Sequence, residues 1–295
     1  MTKCAWVTII TAGTGYVKGV LTLQYVLTRV LKSAYPLLVL YTSDISPKLL
    51  ELLSSLGISL KKVEAIHPTG NIHYFQERFE NTWTKLVAWE QEEYDRLVLL
   101  DADMLPLQNM DELMTISFPQ DHWVAAANAC TCNPQKLKNY PPDWIPANCA
   151  YTEINRYDRS LHKNYFNSGL IVFKPQRSTY LKMIKKLNQV SDLNIYPFPD
   201  QDFLNEEFEN QWTELPYTYN ALKTMIFGHS DIWNINEIKN LHYILIKPWN
   251  ADLNKKSKER ADYYPLYQLW MDKYNDALNY YNINFDLDNL ANIDI

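Results

Sequence analysis

The first hundred residues alternate short, continuously apolar runs with segments of helical period, and this alternation limits the fold more than any other feature. Trp6-Val7-Thr8-Ile9-Ile10-Thr11 reads as a strand closed by Ala12-Gly13-Thr14-Gly15. Residues 17–32 come next as a predicted amphipathic helix, with Val20, Leu23, Leu27 and Leu31 near 3.6 spacing. Leu37-Leu38-Val39-Leu40-Tyr41-Thr42 is a second buried strand. Ser46-Pro47 opens a helix that Gly57 stops. Residues 60–66 make a weaker strand, residues 83–93 a helix, and Arg96-Leu97-Val98-Leu99-Leu100 a further apolar strand. Strands apolar on both faces, each followed by a helix, predict a mainly parallel sheet covered on both sides. Ligands on such sheets bind outside the carboxyl ends of the strands, where Asp101-Ala102-Asp103 stands.

Further along, residues 128–163 have loop character, with Pro134, Pro141, Pro142, Pro146 and three of the four cysteines. A strand interrupted by Asn167-Ser168-Gly169 is expected over 165–173. Helices are expected over 178–190 and from Pro199, a strand over 239–246, and a helix over 261–281 before an Asn/Asp-rich tail.

Composition narrows the function. Acids exceed bases by six, so the chain lacks the electrostatic footprint of a nucleic-acid or anionic-membrane binder. An anionic substrate must then be held by a local cluster or a metal. No segment approaches the ~20 apolar residues of a membrane span. The start lacks the apolar core of a signal peptide, so a reducing, cytosolic setting is expected. Cys130-x-Cys132, with Cys149 and His122 nearby, lacks the paired spacing of structural zinc sites, and none is expected. The glycine motifs of P-loop, dinucleotide and serine-hydrolase sites do not occur in the sequence.

In extended chain, residues i and i+2 point to one side. Asp101 and Asp103 can therefore converge on one hard cation, although a solvated acidic turn has the same sequence. His242 in Leu241-His242-Tyr243-Ile244-Leu245-Ile246-Lys247-Pro248-Trp249 reads alone as a packed core histidine, and Lys247 as a surface charge. Taken together, an imidazole added to two carboxylates gives a mixed site that suits Mn²⁺ better than Mg²⁺. A lysine beside it can neutralise a departing diphosphate. Asp200 is also explained by helix N-capping, and Lys85 by a side chain lying along an apolar surface.

The segments Tyr16-Val17-Lys18-Gly19-Val20, Thr84-Lys85-Leu86, Asp101-Ala102-Asp103 and Phe166-Asn167-Ser168-Gly169 occur in a specific order. Asp200-Gln201-Asp202-Phe203-Leu204-Asn205, Leu215-Pro216-Tyr217-Thr218-Tyr219-Asn220 and His242 with Lys247-Pro248-Trp249 complete it. In that order and spacing the chain resembles glycosyltransferase family 8, the family of glycogenin and plant galactinol synthase, over about residues 5–249. The long insert between Asp103 and Asn167 is closer to the galactinol-synthase-like branch. The resemblance implies an α/β GT-A fold: a single Rossmann-like domain with a mainly parallel central sheet flanked by helices. It would comprise a nucleotide-binding half (about 1–103), an acceptor half with the metal and phosphate motif (about 104–254) and a helical extension and tail (about 255–295).

The resemblance also implies a retaining hexosyltransferase using a UDP-hexose. Asp101, Asp103 and His242 would hold Mn²⁺, with Mg²⁺ the lesser alternative, and Lys247 would close over the phosphates. Ile10, Thr11 and Tyr16 would line the nucleoside pocket. Lys85, Asn167, Ser168, Gly169, Asp200 and Gln201 would surround the donor sugar, with Asp200, Gln201 and Lys247 as the groups that act in catalysis. The stretch between His242 and Lys247 lacks the glycine found there in the family and is shorter. The leading reading is transfer to a small polyol or sugar acceptor such as inositol. A glycogenin-like self-glucosylating enzyme, a transferase that modifies another protein, and a silent sugar-nucleotide-binding protein are the alternatives. Residues 128–165 are expected to wall the acceptor cleft, with Trp144 and Tyr151 either stacking on the acceptor or only covering the sheet. Asp103→Ala is expected to lose activity while remaining folded.

Overall fold

The computed structural model describes residues 2–11, 15–74, 79–158, 160, 162–253 and 260–287. The expected turn at Ala12-Gly13-Thr14 and the tail from residue 288 lie outside them. Numbered in chain order, the strands are β1 (Cys4–Ile10), β2 (Leu37–Tyr41), β3 (Ser59–Lys62), β4 (Arg96–Leu100), β5 (Met104–Pro106), β6 (Val124–Asn128), β7 (Phe166–Phe173), β8 (Trp212–Leu215), β9 (Ala221–Leu222) and β10 (Asn240–His242). The α-helices are α1 (Tyr16–Tyr25), α2 (Pro47–Ser55), α3 (Arg177–Leu187), α4 (Pro199–Glu207), α5 (Met225–Gly228) and α6 (Tyr264–Tyr280).

The chain forms two compact units. The first comprises Ala5–Val63, Leu100–Leu113 and Thr218–Ile295. Its strands run β3-β2-β1, paired in parallel, so that Val7 lies beside Leu38 and Val39 beside Leu60. The central strand, β2, is buried from Leu37 to Leu40 because it carries apolar side chains on both faces. A second, three-stranded sheet runs β5-β10-β9. Helix α1 packs on β5 and α6.

The second unit comprises Met1–Cys4, Glu64–Leu99 and Met114–Tyr217. Its strand order is β4-β7-β6-β8, with β6 parallel to β8 and antiparallel to β7. The β6–β7 register shifts across Ala126–Asn128, where Ala126 faces Ile171 but Asn128 faces Phe166. Such an irregularity re-aims side chains, and it falls on the Asn167-Ser168-Gly169 step. Strand β6, Val-Ala-Ala-Ala-Asn, is wholly buried. Its alanines have little strand propensity, which hides it in the sequence.

Other differences are local. The predicted helix over 17–32 is α-helical only to Tyr25 and continues as a wider π turn over Val26–Val30. There the Leu31 amide donates to Val26 O at 2.8 Å, and Thr28 Oγ1 bonds back to Gln24 O, a contact that bends helices. The expected helix over 83–93 is a run of 3₁₀ turns, Thr82–Glu90. The strand expected over 239–246 shortens to β10, and residues 243–247 leave the sheet to join the site.

Candidate active site

Strand β4 delivers Asp101 to a tight turn, closed by the Met104 amide on Asp101 O at 3.1 Å. The chain then enters β5, which pairs antiparallel with β10 so that Met104 faces His242. This pairing brings an imidazole to residues 139 positions or more away in sequence. His242 Nε2 lies 3.4 Å from Asp103 Oδ1 and 3.8 Å from Asp101 Oδ2, and the three offer converging donor atoms for one cation. Two carboxylates and an imidazole form a donor set that fits a divalent metal of the Mn²⁺ type. Asp103 is buried, and Lys247 Nζ pairs with its Oδ2. Burial alone would push the Asp103 carboxyl up, but the Lys247 and His242 charges and hydrogen bonds hold it well below the usual carboxylate range.

Asn220 completes this set and was not singled out in the sequence as a site residue. Its Oδ1 lies 2.9 Å from His242 Nδ1. Read as Nδ1–H donating to the amide oxygen, the contact turns the Nε2 lone pair toward the carboxylates. Asn220→Ala is expected to weaken Mn²⁺ binding about 10–100-fold. Titration followed by the metal's magnetic resonance signal checks this, and an unchanged affinity would reject the orienting role.

The short stretch after His242 reaches Lys247 without a glycine. Leu245 instead adopts a left-handed φ of 66°, which costs a side-chain-bearing residue roughly 1–2 kcal/mol. Beneath it lies Lys223, a fully buried lysine that the sequence pattern does not mark. Its Nζ donates to Ile246 O at 2.8 Å and to the Tyr267 hydroxyl. The carbonyl just before Lys247 is thereby fixed. Beyond Lys247, Trp249 packs edge-on against Tyr16 with ring centres 5.3 Å apart, and Lys247 Nζ lies 6.0 Å from the Tyr16 ring centre.

Gly19 sets how closely α1 approaches the acidic turn. A Cβ there would overlap the Ala102 carbonyl, which is backbone and cannot swing aside. Gly19→Ala is therefore expected to destabilise the fold by about 1–3 kcal/mol through overpacking, despite alanine's better helix propensity. Denaturant unfolding measures the loss, and a gain in stability would show that the turn gives way easily.

A second cluster lies wholly in the second unit. Lys85 Nζ is 2.9 Å from Asp200 Oδ2, and Ser168 Oγ donates to the same oxygen at 2.9 Å. Gln201 Oε1 accepts from Asn167 Nδ2 at 2.8 Å and from the Ser168 amide at 3.2 Å. Asn167 Oδ1 in turn accepts from the Gly169 amide at 3.0 Å. The structure thus gathers Lys85, Asn167, Ser168, Gly169, Asp200 and Gln201. N-capping does not account for Asp200, because Phe198 is the N-cap of α4 and Asp200 sits inside the first turn. It is Asp202 that reaches back, accepting from the Phe198 amide at 2.6 Å. Asp202 also accepts from the Tyr165 hydroxyl at 2.5 Å, and Gln201 Nε2 donates to that hydroxyl at 3.0 Å. Burial pushes the Asp202 carboxyl up to about 6, against the lowering effect of the Tyr165 hydrogen bond. Tyr165 and Asp202 therefore support Gln201 from behind, which no local pattern announces.

Of the residues expected around the nucleoside, Ile10 is buried at the end of β1, while Thr11 and Tyr16 are half-buried. Trp144 and Tyr151 are not open stacking faces. Trp144 stacks on Phe198 at 4.8 Å between ring centres and edges onto Tyr140 and Tyr165. Tyr151 is buried, donating to Asn128 O at 2.5 Å and edging onto Tyr217. Both rings cover the chain's own interior. Among the described residues no helix is long and apolar enough to cross a membrane.

Comparison with known proteins is consistent with this geometry. The model of glycosyl transferase family 8 matches residues 7–252. Galactinol synthase 1 of Solanum lycopersicum is 30% identical over 282 residues, covering 93% of this chain and 83% of that protein. Galactinol synthase 3 of Arabidopsis thaliana is 32% identical over 292 residues, covering 96% and 84%. Among solved structures, the glycosyltransferase GlyE of Streptococcus pneumoniae superposes with a TM-score of 0.61 at 19% identity. That alignment covers 95% of this chain but only 64% of GlyE. The galactosyltransferase LgtC, solved with donor and acceptor sugar analogues, gives 0.58 at 14% identity, covering 92% of this chain and 95% of LgtC. These two likenesses concern the fold, a GT-A architecture with a mainly parallel sheet. On the family match and the curated relatives together, the chain belongs to glycosyltransferase family 8 and is a glycosyltransferase.

Proposed function

We propose that this chain is a Mn²⁺-dependent, retaining hexosyltransferase that moves a hexose from a UDP-sugar to a small polyol or sugar acceptor such as inositol. The reading rests chiefly on one observation: Asp101, Asp103, His242 and Lys247 converge from the β4–β5 turn, the end of β10 and the loop that follows it. Asp101, Asp103 and His242 would hold the cation, which when bound supplies Lewis-acid charge for a diphosphate leaving group. Asn220 keeps His242 in the ligating orientation. Lys247, anchored behind by Lys223, stabilises negative charge as the donor bond breaks. Lys85 pairs with Asp200 and holds it in place, and Asn167, Ser168 and Gln201 offer a polar wall suited to sugar hydroxyls. Asp200 then acts either as a nucleophile or as an anion facing an oxocarbenium-like centre. The polyol acceptor is supported by the likeness to galactinol synthases. We take the chain to act as one catalytic domain in a reducing, cytosolic compartment, in keeping with four cysteines, too few for a disulfide scaffold in a chain of this size.

A donor and acceptor screen tests the reading. Purified protein with Mn²⁺ receives UDP-glucose, UDP-galactose or UDP-GlcNAc, with and without inositol, while UDP release and product mass are followed. An α-linked hexosyl-inositol is the expected product. A hexose increment on the protein itself would indicate glycogenin-like self-modification instead, and transfer only to an added protein would indicate a protein-modifying enzyme. Nucleotide binding without turnover would leave a silent binding protein.

A further inference from the structure

Three of the four cysteines meet inside the second unit, although the sequence spacing gave no zinc pattern. Cys130 and Cys132 leave the end of β6, and Cys149 comes directly after a 3₁₀ turn over Pro146–Asn148. All three are buried. Cys130 Sγ lies 3.1 Å from Cys132 Sγ and 4.0 Å from Cys149 Sγ. Sulfurs sharing a tetrahedral Zn²⁺ at ~2.3 Å stand roughly 3.8 Å apart, and these distances straddle that spacing. His122, the sequence neighbour of the pair, is not among the converging groups.

We propose that Cys130, Cys132 and Cys149 form a structural thiolate site for a soft divalent cation, Zn²⁺, separate from the Asp101/Asp103/His242 set. Buried single cysteines are common and behave as small apolar residues. Three thiols from separate parts of the chain converging within bonding reach of one point are a different matter. The segment they tie is also one that needs a tie. Between β6 and β7, the described residues of 129–165 hold only short 3₁₀ turns. Its hydrogen bonds gather at the same place: Thr131 Oγ1 and the Lys163 amide both donate to Asn148 O, and Asn155 Nδ2 donates to Cys149 O. A cation there would clip residues 130–132 to residue 149 and fix the whole segment.

The chemistry also discriminates between metals. Three thiolates prefer Zn²⁺ to Mn²⁺ or Mg²⁺, whereas the carboxylate–imidazole set has the opposite leaning. Hydrogen bonding with Cys132 and Cys149, together with burial, pushes the Cys130 thiol well above its usual value. Binding replaces three S–H protons by three metal–sulfur bonds, releases three protons to solvent and leaves one net negative charge, with no electron transferred. Three thiolates leave the fourth tetrahedral position to a lighter ligand atom.

The test uses the full chain, reduced and stripped of metal, and reads sulfur directly. Co²⁺ added to it should give the intense near-ultraviolet absorption of thiolate-to-cobalt charge transfer, saturating at one equivalent. Zn²⁺ should bleach that band, with half-saturation near or below about 1 nM. X-ray absorption of the zinc form should show three sulfur neighbours. Cys132→Ser and Cys149→Ser should each lose the band and weaken Zn²⁺ at least 100-fold, while Mn²⁺ still binds. A wild-type protein without the charge-transfer band overturns the proposal, as does a band that survives in Cys149→Ser. So does a protein that, isolated under reducing conditions, is lighter by two hydrogens through a Cys130–Cys132 disulfide. If the serine variants fail to fold, the wild-type cobalt spectrum and sulfur count still decide. None of these readouts depends on glycosyl transfer.

Discussion

Asp103→Asn is expected to lower glycosyl transfer by about 10³-fold, the upper end of what one preorganised charged group supplies. The substitution keeps volume and one acceptor oxygen but removes the charge that faces both His242 and Lys247. Chelation should abolish activity in the parent protein, with Mn²⁺ restoring it best, and the variant should need far more Mn²⁺. Undiminished turnover in EDTA would sink the metal assignment. Asp103→Ala is less informative than the sequence suggests. The strand-end acid looked dispensable for folding, yet it is 2% exposed and ion-paired with a lysine 12% exposed. Removing one member of such a pair strands the other charge and costs about 3–5 kcal/mol. Loss of activity in any variant that neutralises one member of this pair, Asp103→Asn and Lys247→Ala included, therefore has to be read beside its unfolding curve. Lys247→Ala isolates the other half of the pair. It should reduce kcat by about 10²-fold rather than merely raise KM, because its contribution grows as the leaving group gains charge.

Asp200→Asn is expected to reduce kcat by about 10²–10³-fold while KM changes little. Asn keeps the shape and can still accept from Ser168, but the attraction for Lys85 is lost, so the unfolding curve of the variant is measured beside its kinetics. The two routes to retention separate on a second readout. Incubation with donor alone, followed by intact-protein mass and peptide mapping, would find a hexose on Asp200 if its carboxylate attacks the anomeric carbon. Transfer without that adduct would leave Asp200 as an anion stabilising a positive centre. A wild-type kcat in Asp200→Asn would remove both roles and return the Lys85–Asp200 pair to structure alone.

The features legible in the sequence are the local ones. The β-α alternation could be read because burial of a strand on both faces writes a continuous apolar run, and helical packing writes a 3.6-residue period. Asp101 and Asp103 could be read because they end such a run. Pro199 announced the start of α4, whereas β7 runs unbroken through Asn167-Ser168-Gly169 and only its pairing with β6 shifts there. Where the local signal is thin, the structure departs from the sequence pattern. Strand β6 is mostly alanine, and Thr82–Glu90 has helical residues wound in a tighter helix.

The site needed more than local pattern. His242 meets Asp103 because β10 pairs with β5 in one register, and a slip of one residue would turn the imidazole to the other face. Asn220 and Lys223 reach His242 and Ile246 through β9, a two-residue strand with no periodicity to recognise. Trp144 and Tyr151 have the composition of a sugar platform, but their neighbours in space make them core. Cys149 joins Cys130 and Cys132 only once residues 129–165 fold back on themselves. The sequence by itself determined the layered α/β fold, its strand-end acids and its family, since these depend on residue type at short spacing. The tertiary structure alone decided which distant side chains converge, because convergence is set by strand register and loop closure, and neither has a period along the chain.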